Sequence, residues 1–117
     1  MHELGLLTTV VAAVEQAVQA SPTATRASAV GLRVGSMSGT TVEALQGAWP
    51  IAIHGSCLDG ATLDVEHVQA AVHCLTCRED REIDEFYALV CPVCQTPTGN
   101  LVRGREFDVA WADLESD

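Results

Sequence analysis

The sequence predicts an α+β fold: two helices on a small three-stranded sheet, with an inserted zinc-ribbon-like lobe. Three observations carry the prediction. The chain opens with a helical repeat of apolar residues, three short segments alternate with period two, and two C-x-x-C pairs lie together in a charged, turn-rich segment before the last strand. At 117 residues the chain suits one compact domain or a domain with a small appendage. Cores under about 70 residues usually need a staple, which a metal supplies.

Leu4, Leu7, Val11, Val14 and Val18 recur at spacings of three and four, one face of an amphipathic helix. It ends near Ala20, because Ser21-Pro22-Thr23 cannot continue it. Val30, Leu32 and Val34 then alternate with Gly31 and Arg33, the period of a strand with one buried face, and Gly35 to Gly39 read as a turn. Thr40 or Thr41 caps a second helix whose inner face carries Val42, Leu45 and Trp49. Gly47 and Pro50 predict a kink or an early stop there. Leu63 and Val65 place a second strand at about Ala61 to His67, and Phe107, Val109 and Trp111 place a third. The segment from His73 to Gly99 lies between them as an insertion and holds four of the five cysteines. Cys57 stands alone and reads as a small buried apolar residue.

Sixteen acidic residues face six basic ones, all arginine, a balance that repels nucleic-acid phosphate and anionic lipid. The reading is therefore no nucleic acid and no membrane. No apolar run reaches the length of a membrane span, and Glu3 argues against a signal peptide, so the expectation is a soluble, cytoplasmic protein. Within the insertion Glu79, Asp80, Glu82, Asp84 and Glu85 outnumber Arg78 and Arg81 in a loop that suits a protein partner. The acidic stretch Asp113 to Asp117 reads as a solvated tail.

Cys74-Leu75-Thr76-Cys77 and Cys91-Pro92-Val93-Cys94 are separated by thirteen residues. Each C-x-x-C turn lets two thiolates converge on one ion, and two facing turns close a tetrahedral sulfur site that suits zinc. Four sulfurs leave no open position, so the zinc is structural, and its binding, worth on the order of 10 kcal/mol, substitutes for a core in so small a segment. The same residues admit a pair of disulfides, a redox C-x-x-C or a rubredoxin-like iron. Nothing indicates export, however, and a redox pair ordinarily opens a helix after a strand. A zinc deaminase needs H-x-E followed by P-C-x-x-C, which neither His73-Cys74-Leu75 nor Val90-Cys91 supplies. His73 reads as a neighbour that hydrogen-bonds near the site.

The chain opens Met1-His2-Glu3. A metal that displaces the His2 amide proton closes a five-membered ring to the Met1 amine and a six-membered ring to the nearer imidazole nitrogen. The Glu3 amide, the Glu3 carboxylate or an outside group completes a tetragonal set favouring nickel(II) or copper(II). The amine must lose a proton to bind. On these residues alone a plain surface helix start, with Glu3 favouring the helix dipole, stands beside the metal reading.

The order of features lifts the metal reading. Met1-His2-Glu3-Leu4 leads directly into the amphipathic helix. There follow Leu32-Arg33-Val34-Gly35-Ser36-Met37-Ser38, the strand entry Gly60-Ala61-Thr62-Leu63, the paired C-x-x-C motifs and the closing Gly104-Arg105-Glu106-Phe107. Over essentially its whole length the chain resembles the HypA/HybF family of nickel chaperones for [NiFe]-hydrogenase maturation. The resemblance implies a discontinuous nickel-binding domain, residues 1–72 plus 101–117, with a zinc-binding domain at 73–100. It implies His2 as the indispensable nickel ligand beside the Met1 amine and Glu3, and zinc on Cys74, Cys77, Cys91 and Cys94. It further implies Ni(II) as transferred cargo rather than an enzymatic reaction, delivered with a maturation GTPase to the hydrogenase large subunit and in some organisms to urease maturation, by a monomer or homodimer. Gly47 and Pro50 depart from the continuous, more aromatic second helix of the family. The turn from Ser36 to Thr41 also lacks a usual acidic residue, with Glu43 the nearest substitute. The alternative function is a zinc-ribbon protein-interaction module with no nickel role.

Overall fold

The computed structural model describes residues 2–84 and 89–117, so Met1 and Glu85 lie outside the described residues. In chain order the elements are α1 (His2–Ala20), β1 (Arg26–Gly35), α2 (Val42–Ile53), β2 (Thr62–Val68), β3 (Ala71–Cys74), β4 (Glu79–Glu82), β5 (Leu101–Arg103) and β6 (Phe107–Glu115). Two three-stranded sheets result, ordered β2-β1-β6 and β4-β3-β5. The α+β class with two helices, a small three-stranded sheet and an inserted lobe is what the sequence predicts. The chain forms two compact units, one of Met1–Leu32, Thr40–Glu66 and Asp108–Asp117, the other of Arg33–Gly39 and His67–Phe107.

In the first unit α1 buries Leu7, Val10, Val11, Val14 and Val18 and packs on α2. Leu4 is only half-buried, and Val10 joins the buried stripe, which widens the face beyond a strict three-four spacing. The helix stops where expected. Ser21 Oγ accepts the amides of Thr23 and Ala24, and Pro22 has no amide to offer. Val30 and Leu32 of β1 and Leu63 of β2 are buried, and with Leu7, Val14, Leu45 and Leu58 they make up the core of this unit.

Two expectations need correction here. α2 does not stop at Gly47 or Pro50 but runs to Ile53, with Thr41 Oγ1 accepting the Ala44 amide at 3.1 Å as its cap. Both breakers sit on the exposed side, while Leu45, Ala48, Trp49 and Ile53 are buried. Trp49 Nε1 donates to the Ala61 carbonyl and Gln46 Nε2 to that of Leu63, each at 2.8 Å. These anchors and the buried face outweigh a proline penalty of roughly 3 kcal/mol. Nor is Asp113 to Asp117 wholly a solvated tail, because β6 continues to Glu115. There the Glu115 carbonyl accepts the Thr25 amide at 2.8 Å, and its carboxylate meets Arg26 at 3.3 Å.

The second unit has a much smaller apolar cluster: Ala70, Val72 and Ile83, with Met37, Leu89 and Leu101 against it. β3 pairs antiparallel with β4, Ala71 opposite Glu82 through Cys74 opposite Glu79, and antiparallel with β5. The charged stretch read as a loop is thus partly a strand. Its side chains are polar on both faces, so no alternation marks it. Its charges also meet within the unit: Glu79 with Arg81 at 2.8 Å, Asp80 with His73 at 2.8 Å and Glu82 with Arg103 at 3.7 Å. Gly35 and Gly104 allow the backbone to close up here. A Cβ on Gly35 would strike the Gly104 carbonyl, and Gly104 itself holds φ 129 against Ala70. The Met37 amide reaches the Gly104 carbonyl at 2.7 Å, and Ser36 Oγ accepts the Ala70 amide at 2.9 Å.

Candidate metal centre

Cys74 closes β3, and the chain then turns through Leu75, Thr76 and Cys77 before β4 begins. The turn folds back tightly because the Arg78 amide donates to the Cys74 carbonyl at 2.7 Å, with Arg78 in the left-handed region at φ 57. The Cys77 amide points at Cys74 Sγ, 3.4 Å away. The second pair repeats this construction. Gln95 donates its amide to the Cys91 carbonyl at 2.9 Å and holds φ 65. A bridge between Val90 and Pro97 and the bond from the Cys91 amide to the Thr96 carbonyl, 2.9 Å, close its base. Two non-glycine residues in this conformation cost roughly 1–2 kcal/mol each, a penalty that a metal gathering the thiolates can offset.

The four sulfurs lie within 4.8 Å of one another. Cys74 and Cys94 are 3.5 Å apart and Cys77 and Cys91 3.9 Å, so all four thiols are free rather than disulfide-bonded. A tetrahedral shell with bonds of about 2.3 Å separates its sulfurs by about 3.8 Å. The donor set and its spacing therefore fit a structural zinc. Cys74 and Cys91 are fully buried, which shields the ligand pair from solvent exchange.

Before metal binds, the thiols differ sharply in proton affinity. The Thr96 hydroxyl, 3.1 Å from Cys94 Sγ, donates to the thiolate, and the Thr96 amide and Cys74 help, bringing Cys94 down to about 6. Cys77 is pushed up to about 11, chiefly because its thiol donates to Cys94. Backbone amides of Cys94 and then Val93 lower Cys91, against the effect of burial. Sequence reading singled out all four cysteines but neither Thr96 nor Arg81, which draws the Cys77 thiol down against the larger effect of Cys94. Thr96 lies two residues past the last cysteine, a position from which a hydroxyl can cap a C-x-x-C turn. That offset was the available signal.

At the other end of the chain His2 is exposed at the first position of α1 and Glu3 is half-buried in its first turn. Their amides are among the four that a helix start leaves without an intrahelical acceptor. Among the described residues neither belongs to a group of three metal-type donors, and Met1 is not described. Cys57 is half-buried in the first unit, its carbonyl accepting the Ala27 amide at 3.0 Å; burial, then Glu15, pushes its thiol up.

The HypA family model, described as hydrogenase/urease nickel incorporation metallochaperone, matches residues 1–114. The chain belongs to the HypA family. It is 35% identical over 109 residues to the hydrogenase maturation factor HypA of Chloroflexus aurantiacus, covering 93% of this chain and 95% of that one. To the HypA of Roseiflexus sp. it is 32% identical over 117 residues, 100% of this chain and 94% of the relative. The solution structure of the Ni metallochaperone HypA from Helicobacter pylori superposes with a TM-score of 0.66 at 16% identity, covering 98% of each chain. That likeness establishes the HypA fold. The family binds nickel and acts in hydrogenase maturation, and the four-cysteine cluster fits a structural zinc site.

Proposed function

We propose that this protein is a nickel metallochaperone that delivers Ni(II) during [NiFe]-hydrogenase maturation. In this reading Met1, His2 and Glu3 carry the nickel, and Cys74, Cys77, Cys91 and Cys94 hold a structural zinc. The observation that carries the reading is that the family match starts at residue 1, so that Met1-His2-Glu3 lies inside it. In this reading residues 1–72 plus 101–117 form the nickel-binding domain and 73–100 the zinc-binding domain, although 33–39, 67–72 and 101–107 belong to the compact unit of the cysteines. The protein works in the cytoplasm, as a monomer or homodimer, on a maturation GTPase and the hydrogenase large subunit, with urease maturation proteins as further clients. It catalyses no covalent chemistry.

The mechanism is ligand exchange. An exposed His2 at a helix start leaves one side of the ligand set open to a docked partner, whose donors displace the protein's in turn. The amides of His2 and Glu3 are free of helix bonds, so their deprotonation breaks no backbone ladder. Release is favoured by acid, since the Met1 amine and the imidazole both compete for protons. At the other lobe, zinc when bound supplies a closed crosslink between two turns. The chain's own amides and the Thr96 hydroxyl hold those turns ready for it.

His2→Ala, and separately a short extension before Met1, are expected to abolish stoichiometric nickel binding in calorimetry while leaving one zinc per chain by metal analysis. Undiminished nickel affinity in both would remove Met1-His2-Glu3 from the nickel site and contradict the mechanism drawn here.

A further inference from the structure

β5 is an edge of the β4-β3-β5 sheet, with β3 on its inner side and no strand on its outer side among the described residues. Such an edge offers a row of backbone donors and acceptors to a further strand. An open groove of about 400 Å³ runs beside it, and Leu89, Leu101, Val102, Arg103, Arg105 and Glu106 are among the residues that line it. Leu89 and Leu101 rest on the apolar cluster of Ala70, Val72 and Ile83, while Val102 is 43% exposed. The groove therefore has an anchored floor and an apolar side chain open to cover.

Its charge runs against that of the chain. Where sixteen acidic residues face six arginines, two of the arginines line this one groove. Arg105 is exposed and has no ion-pair partner among the described residues. Arg103 meets Glu82 only at 3.7 Å with both side chains well exposed, a contact weak enough to be exchanged. The groove's own carboxylate is engaged, Glu106 Oε1 accepting the Gly104 amide at 2.7 Å. A second copy of β5 would set arginine against arginine, which like charges on facing strands oppose. A second copy of β4 would first have to break the pairs of Glu79 with Arg81 and Asp80 with His73.

We infer that the β5 edge is a docking site for a partner protein, which adds an extended acidic segment as a fourth strand, its carboxylates on Arg103 and Arg105 and its apolar side chains against Leu101 and Val102. In strand addition backbone hydrogen bonds supply affinity and alternate side chains supply specificity. The inference stands apart from the nickel reading, since no residue of the Met1-His2-Glu3 set takes part.

The test titrates the full-length, zinc-loaded, isotope-labelled protein with three short synthetic peptides and follows its amide signals. One peptide alternates glutamate and valine, one alternates lysine and valine, and the third is the glutamate peptide methylated at alternate backbone nitrogens. The glutamate peptide is expected to move the signals of Leu101 to Arg105 saturably, and the lysine peptide to leave them in place. The methylated peptide should bind about tenfold more weakly, having lost the donors that pair with an edge. Arg105→Glu should weaken the glutamate peptide about tenfold and strengthen the lysine peptide. An arginine that only kept other strands away would not reverse that preference. If Arg105→Glu fails to fold, Arg105→Gln decides by the weakened glutamate peptide. The inference is overturned by a glutamate peptide that leaves β5 unmoved, binds no better than the lysine peptide or binds as well when methylated. It is overturned equally by β5 signals that shift with protein concentration alone, which would place a second copy of the chain in the groove.

Discussion

Cys94 and Cys77 share one cluster yet hold their protons on opposite sides of neutrality, about 6 and about 11. The sign for metal binding follows directly. At pH 7 Cys94 is already a thiolate and gives up no proton to zinc, whereas Cys77 does so throughout the neutral range, so affinity rises with pH. As pH falls through about 6, Cys94 is protonated too, and each zinc bound then displaces one more proton. Chelator competition on either side of that pH is expected to show the slope of log affinity against pH steepening by about one proton per zinc. An unchanged slope would mean that Thr96 does not hold Cys94 ionised. Thr96→Val, which keeps shape but removes the hydroxyl, should move the break to higher pH. At this scale the ligands were legible in the sequence because C-x-x-C spacing is dictated by the turn itself. Thr96 and Arg81 were not, because what they touch depends on Gln95 and Arg78 entering the left-handed region and on β4 folding back along β3.

Among the elements, α2 is the sharpest case of local preference overruled by packing. Gly47 is exposed, and a Cβ there meets nothing within 4 Å. Gly47→Ala is therefore expected to stabilise the protein by about 1 kcal/mol, read as a higher thermal midpoint with both metal sites unchanged. Thr41→Ala, which removes the cap from the Ala44 amide, should cost about 1 kcal/mol. A Gly47→Ala protein no more stable than wild type would show that the glycine serves some contact beyond the helix. The two helices and the strands of the larger sheet were readable because each has one apolar face: Leu7, Val14 and Val18 on α1, Val30 and Leu32 on β1. The end of α2 was misread because Pro50 is judged by its own sequence neighbours, whereas its tolerance comes from the Ala61 and Leu63 carbonyls that hold Trp49 and Gln46. β4 and the last residues of β6 were missed for the opposite reason, being charged or exposed on both faces.

Across the whole molecule the two units differ in what holds them. One buries Leu7, Val14, Val30, Leu32, Leu45 and Leu58 completely, or nearly so; the other buries mostly smaller side chains, Val34, Val68, Ala70, Ala71, Val72 and Ile83, beside four thiols. Stripping zinc should accordingly abolish amide protection in β3, β4 and β5 while leaving α1 and α2 protected, measured by hydrogen exchange on the metal-free protein. Uniform loss of protection would mean that the sulfur cluster supports the entire chain. The central claim, however, concerns the opposite end: nickel is carried by Met1, His2 and Glu3. The sequence has no lysine, so an amine-selective acylating reagent finds one aliphatic amine, that of Met1. Acylation of the zinc-loaded protein should slow markedly once one equivalent of nickel is added, and His2→Ala should abolish the protection. Acylation at the same rate with and without saturating nickel would remove the Met1 amine from the site and contradict the account.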